Sequence, residues 1–411
     1  MLSAEEAKKT ILACTTEFQH VTIPLLEAHG RILGADVHSR DDIPPFKNSS
    51  MDGYAVLSTD TLKATKENPV ALKIQDEIAA GDVSGSSLHG RNSIRILTGA
   101  PLPDGADAVI PLELVEERDG AILVCNRVEA GQSTREKGED FKNGDKVLSK
   151  GTLIKAAHLG ILASLGCANV EVFNKPKLAI LTTGNELLSV GENLEGGKIR
   201  NSNAYSLFAL ATECHCHPID LGVARDEEEE LLKKVREGLA FDILVTSGGI
   251  SAGKYDYVLG AMKNAGVDVK FWKVNIKPGM PLAFGTYEKD GKKTLVFCLP
   301  GNPVSTVVTF LEYVRPGIER MMTRSDATRR VSLSATLHGT LSKNDGKRHY
   351  HRGVLWSEAG KLCVRSTGNQ SSGVLSSLVK ADCLIILGEQ QTIVREGEEV
   401  EIEMLPWGNF Q

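Results

Sequence analysis

The spacing of apolar positions changes along the chain, and the changes mark out segments. Near the N-terminus, Ile11, Cys14 and Phe18 recur at helical spacing, and Ser3 with Glu6 has the capping-box spacing. A helix over about 4–18 is predicted. Pro24 and Gly30 punctuate the next stretch, a second short helix and then the extended piece RILGADV. DDIPPFKNSS reads as a linker. From 51 to 142 the short β-like runs YAVLS, SIRILT, DAVIPL and AILVCNRV are separated by the turn signals LPDGAD, ERDG and FKNGD. This predicts a β-rich insert. A helical pattern returns from Lys155 to Leu165 and stops at Gly166. The two helices flanking the insert are expected to pack together.

Residues 176 to 322 alternate between strand and helix patterns. LAILTT, ILVTS and TLVFCL are continuous apolar runs, the pattern of strands buried on both faces in a parallel sheet. Helices are predicted over about 202–213, over DEEEELLKKVREGLA, and from Asn302-Pro303 onward. The last has the apolar stripe Val304, Val307, Val308, Leu311, Val314 and Ile318. The expected fold is a doubly wound α/β domain. From 327 onward the runs VSLSATL, LCVRST, CLIILG and EEVEIEML predict a small barrel or sandwich.

Composition narrows the function classes. The 411 residues are too many for one ordinary core. At 41% hydrophobic and 24% charged, the chain reads as soluble and globular. The net charge is −6, and the densest basic clusters, Arg329-Arg330 and Lys347-Arg348, are short, so a nucleic-acid surface is not expected. No signal peptide or membrane-span pattern is found, which predicts a cytoplasmic protein. The eight cysteines are dispersed, unlike a disulfide framework. Cys214-His215-Cys216-His217 lacks a second ligand pair and reads as a helix end turning into the strand PIDLGV.

Ligands of open α/β sheets bind beyond the carboxyl ends of the strands. There the chain carries Gly184-Asn185-Glu186, then Gly248-Gly249-Ile250-Ser251 with Lys254-Tyr255-Asp256, and then Pro300-Gly301-Asn302-Pro303. Glycine permits close backbone approach to an anion, and a helix start offers free N–H groups. Asn302-Pro303 is also a sound helix start with no ligand, Asn capping and Pro at the first position. Glu186 and Asp256 would suit Mg²⁺ beside a phosphate, or be solvated loop acids. Asp226, in GVARDE, serves equally as a cap of the acidic helix. Lys277, in NIKPGMPLAFG, could hold an oxyanion or be a surface lysine. No Walker loop, zinc-ligand pair or G-x-S-x-G elbow is found.

In combination, SMDGYAV, RILTGAPLPDGADAV, GEDFKNGD, LTTGNEL, VTSGGIS, NIKPGMP and LPGNPVS, in this order, strongly resemble the molybdopterin molybdenumtransferase family, which includes the E domain of gephyrin. The resemblance runs from about residue 5 to 405. It implies a multidomain α/β plus β protein. Domain I is a two-piece helical domain (1–47 and 143–175), domain II the β-rich insert (48–142), domain III the molybdopterin-binding α/β domain (176–326) and domain IV a C-terminal β-barrel (327–411). It further implies that molybdate joins the dithiolene of adenylylated molybdopterin, with release of AMP and a requirement for Mg²⁺. Members are homodimers, with the active site between domain III of one subunit and domain II of the other. Molybdopterin adenylyltransferase and apo-molybdoenzymes are the implied partners, and neither nucleic acid nor membrane is.

Carried over by motif, Asp52, Thr98 and Asp140 lie at the domain II face. Asp52-Gly53, taken alone, reads as a hairpin turn. Glu186, Asp226, Ser251, Asp256, Lys277, Pro300 and Pro303 fall in the domain III pocket, with Asp256 and Glu186 assigned to metal binding or water positioning. Lys277 and Ser251 would hold molybdate or the phosphate. The backbone at Gly301-Asn302 would cradle a phosphate, near Gly248 and Gly249. Lys347 and Ser371 align with molybdate contacts of some members. Two departures stand out. Met280 occupies a position that is Lys in some members, and Asn185 one that is Asp in many. Two rival functions are a pterin adenylyltransferase, usually the α/β domain alone, and a non-catalytic carrier or scaffold.

Overall fold

The N-terminal capping box forms as its spacing predicts. The Ser3 hydroxyl accepts from the Glu6 N–H at 3.2 Å, and the Glu6 carboxylate accepts from the Ser3 N–H at 2.9 Å. The helix, α1 (Ala4–Cys14), stops at Thr15, short of the predicted 18. The computed structural model describes residues 1–82, 85–194, 196–250, 257–323 and 332–408. Its contacts divide the chain into two units, Met1–Gly34, Gly151–Lys155 and Asn169–Gln411 against Ala35–Lys150 and Ala156–Ala168. Helix α1 packs on the segment Arg315–Thr323 of its own unit. The second flanking helix, Ala156–Ser164, groups with the other unit.

The α/β domain follows from its apolar runs. Its strands are β1 (Lys177–Thr183), β2 (His217–Ala224), β3 (Ile243–Ser247), β4 (Asp268–Trp272), β5 (Ala283–Lys289) and β6 (Lys292–Leu299). They form one sheet in the order β2-β1-β3-β6-β5-β4. The first four are parallel, and β5 runs antiparallel to both β6 and β4. Strand alternation sends Leu178 and Ile180 to one face and Ala179 and Leu181 to the other, and both faces are buried. One face is covered by α2 (Ser202–Glu213) and α5 (Pro303–Thr309), the other by α3 (Glu228–Gly238) and α4 (Tyr257–Asn264). The predicted stripe from Val304 to Ile318 is buried throughout. A wider turn, Phe310–Val314, interrupts that helix and also buries Phe310 and Tyr313. Cys214 caps α2, and Cys216 is buried at the entry to β2, as the sequence predicts.

The C-terminal strands β7 (Ser332–His338), β8 (Arg348–Glu358), β9 (Lys361–Ser366), β10 (Cys383–Leu387) and β11 (Glu399–Met404) pair in the cyclic order β8-β9-β7-β11-β10-β8. The choice between barrel and sandwich resolves to a closed five-stranded barrel, which leaves no free edge. Tyr350, Leu384 and Ile386 share the main core with the α/β domain. Ile276–Lys277 pairs in parallel with the start of β8.

The second unit holds a sheet of six strands in the order Ala108–Pro111, Gly53–Val56, Asn92–Ile96, Val70–Ile78, Ala121–Val124 and Val115–Arg118. Asp52-Gly53 is not a hairpin turn. Gly53 already pairs with Ile96 on one side and Pro111 on the other. Among the described residues, no helix is long and apolar enough to cross a membrane.

Candidate active site

In the α/β sheet, β1 has its successor β2 on one side and β3 on the other, so the crossovers reverse between β1 and β3. That reversal opens a crevice at the strand ends. A cleft of about 820 Å³ lies there, walled by Thr183, Gly184 and Glu186 after β1, Gly248 and Gly249 after β3, and Pro300, Gly301, Asn302 and Pro303 after β6. The loops come close enough that Gly248 must be glycine. Gly248 has φ of +99°, and a Cβ on it would lie 2.4 Å from the Thr183 carbonyl oxygen. A Cβ on Gly301 would meet the Gly248 Cα at 3.4 Å.

A polar network fixes the third loop. Asn203, at the start of α2, donates to the Gly301 carbonyl at 2.8 Å and to the Ser247 hydroxyl at 2.9 Å. Ser247 and Thr306 donate to the Pro300 carbonyl at 3.2 Å and 2.6 Å. Asn302 does not cap α5 with its side chain, contrary to the expectation. It donates instead to the Ser372 hydroxyl at 2.9 Å, and the Val304 N–H donates to the Ser372 carbonyl. The barrel loop carrying Ser371 and Ser372 is itself held by Arg352, buried in β8, which donates to the Ser371 carbonyl at 3.3 Å. Burial lowers the Arg352 pKa to about 10.

Two polar atoms of the cleft wall are buried with no hydrogen-bond partner among the described residues, the Thr183 hydroxyl and Oδ1 of Asp226. Asp226 does not cap the acidic helix. Glu227 stands at that position and makes no side-chain cap either. Burial, and then the charge of Glu186, push the Asp226 carboxyl above the usual carboxylate range, while the hydrogen bond with Asn185 works the other way. That opposing bond comes from the Asn185 backbone, and separately the Asp226 N–H donates to the Asn185 side-chain Oδ1 at 3.3 Å.

Of the other residues singled out in the sequence, Ser251 and Asp256 lie outside the described residues. Lys277 is not part of the cleft wall. Its side chain is 63% exposed and faces Asp345 at 3.9 Å. Lys347 points its Nζ at the Met280 sulfur, 3.7 Å away, and Met280 does line the cleft. In the second unit, Asp52 accepts from both the Thr98 N–H and the Thr98 hydroxyl, each at 2.7 Å. These bonds hold the Asp52 carboxyl below its ordinary range. The exposed Asp140 is tied through its backbone N–H to the Ile43 carbonyl. Asn203 and Arg352 were not legible as site residues. The only signal was the Asn-Ser-Asn start of α2, the first helix after β1.

Fold and cleft define an α/β class with a ligand crevice at the strand ends, and Gly373 and Leu375 of the barrel domain stand in its wall. Comparison makes the class specific. Residues 2–166 match the MoeA N-terminal region (domain I and II), 179–320 the probable molybdopterin binding domain, and 334–405 the MoeA C-terminal region (domain IV). The chain belongs to the molybdopterin molybdenumtransferase (MoeA) family. It is 36% identical over 410 residues to the molybdopterin molybdenumtransferase of Haemophilus influenzae, covering 98% of each chain. It is 32% identical to that of Bacillus subtilis, covering 98% of this chain and 94% of the relative. The crystal structure of the molybdopterin biosynthesis moeA protein from Pyrococcus horikoshii superimposes with a TM-score of 0.85 at 31% identity, covering 98% of this chain and 100% of that one.

Proposed function

We propose that this protein inserts molybdate into adenylylated molybdopterin and releases AMP, completing molybdenum cofactor. The observation that carries the reading is the cleft itself, in a chain similar over its whole length to proteins of that name. Its glycine loops bring backbone within reach of phosphate oxygens, and positioning with charge stabilisation is most of what phosphoryl chemistry needs. Lys277, which stands outside the cleft wall, and Ser251 keep the phosphate or molybdate role implied by their motifs, and Lys347 and Ser371 the molybdate contact implied by the resemblance.

Mg²⁺ dependence is part of the proposal. The orphaned Asp226 oxygen, with Glu186 beside it, is a donor set that suits a hard divalent cation. When bound, such an ion neutralises charge developing on the phosphoanhydride. Asp226 joins Glu186 and Asp256 as a candidate ligand. Homodimerisation also belongs to the proposal, with Asp52, Thr98 and Asp140 of one subunit completing the site of the other. So do a cytoplasmic location and delivery of the product to apo-molybdoenzymes.

The test is to mix the purified protein with adenylylated molybdopterin, Mg²⁺ and molybdate and to follow AMP. Molybdate-dependent AMP release, with a product that activates an apo-molybdoenzyme, is expected. Pterin binding without release would make the protein a carrier, and ATP consumption with molybdopterin an adenylyltransferase.

A further inference from the structure

We propose that the outer wall of the C-terminal barrel carries a separate site for a zinc-type divalent cation, built from His338, Glu358 and Cys363. The barrel register places these side chains together. Cys363 stands opposite Trp356 across the β8–β9 pair and opposite Thr336 across the β7–β9 pair. His338 and Glu358 lie two residues beyond those positions, so all three share one face. Leu337, Leu355 and Val364, the alternating neighbours, point into the barrel core.

The hairpin joining β8 to β9 fixes this register tightly. Ala359 and Gly360 have φ of +50° and +76°, the two positive values that a type I′ turn needs. Cys363 therefore faces outward, yet it is only 4% exposed. His338 and Trp356 stand beside it, with ring centroids 4.7 Å apart.

The geometry has the dimensions of a metal site. One ligand atom from each residue lies within 4.8 Å of the other two, and His338 Nε2 is 3.9 Å from Glu358 Oε2. Around a tetrahedral ion with bonds of about 2.0–2.3 Å, ligand atoms are roughly 3.3–3.8 Å apart. Closing the remaining gap needs movement only of His338 and Glu358, whose side chains are 40% and 62% exposed. The Trp356 ring against the imidazole, and its N–H donating to Glu358 at 3.4 Å, orient two of the three ligands. Thiolate, imidazole and carboxylate together select a borderline cation over Mg²⁺, which prefers oxygen alone. None of the three residues lines the strand-end cleft, so the site stands independently of the proposed reaction.

Cobalt(II) is the probe, titrated into the full-length, metal-stripped protein. A thiolate-to-cobalt charge-transfer band saturating at one ion per chain is expected, and Zn²⁺ should bleach it while Mg²⁺ does not. Cys363→Ser should remove the band. His338→Gln, at an exposed position that folding tolerates, should weaken binding about tenfold or more. Absence of the band, its persistence in Cys363→Ser, or undiminished affinity in His338→Gln would overturn the proposal.

Discussion

The cleft of the α/β domain and the loop ahead of Gly53 in the second unit each present an aspartate, and the fold treats the two differently. Asp52 is exposed, and its carboxylate is satisfied by Thr98, which draws its pKa down. Asp226 is partly buried, has one oxygen with no partner among the described residues, and is pushed up by burial and by Glu186. The first carboxylate has its bonds supplied by its own chain. The second costs the fold something, because a buried carboxylate oxygen without a partner is expensive. Such a cost is retained where a ligand or cation supplies the missing partner, so the contrast separates an acid whose bonds are made within its own chain from one left open to a ligand.

The glycines repeat the contrast and give the largest expected effect. Gly248→Ala forces a Cβ to 2.4 Å from the Thr183 carbonyl in a left-handed backbone. It should cost about 3 kcal/mol or more and reduce AMP release at least a hundredfold. Gly99, beside Thr98, has φ of +86° but open space around it. Gly99→Ala should cost only about 1 kcal/mol. Equal losses in chemical denaturation would break the distinction between the two loops.

Asn203→Ala sharpens the cleft side of the comparison. It removes both bonds that tie Gly301 and Ser247 to α2. A loss of about 1–2 kcal/mol is expected. AMP release should fall about tenfold, mostly through weaker substrate binding, which KM and kcat measured separately would show.

The smallest effect lies in the pH dependence of the two aspartates. Asp52 has a folded pKa below its unfolded value, so its stabilisation is present above about pH 3.8 and is lost as pH falls below it. Asp52→Asn should therefore unfold earlier than the unmodified protein at neutral pH, with the difference vanishing in acid. Asp226 runs the other way. Its folded pKa is raised, so its destabilisation is full at neutral pH and fades as pH falls toward 3.8. Parallel pH profiles of unfolding for the two variants would contradict the assignment.

Most of the cleft was legible because its parts are local signals. Buried parallel strands leave unbroken apolar runs, and glycine loops follow each run directly, as at Gly248-Gly249 and Gly301-Asn302. The rest depends on partners distant in sequence. The long strand β8 escaped notice because RHYHRG begins it with charged and aromatic residues, and Arg352 inside that run is buried through Ser371 and Ser377. Helix α4 escaped because its start adjoins the SAGKYD stretch, whose small and polar residues read as loop. The role of Asn302 was misjudged for the same reason. Capping is a local rule, and Ser372, 70 residues away, competes for its side chain.

The most direct test is Asp226→Asn, measured twice, by thermal or chemical unfolding and by molybdate-dependent AMP release. Removing a buried, partnerless charge should raise stability at pH 7 by about 1 kcal/mol, while turnover falls a hundredfold or more. A variant that keeps its turnover, or that is less stable than the unmodified protein, would contradict the claim that this carboxylate is held for the reaction rather than for the fold.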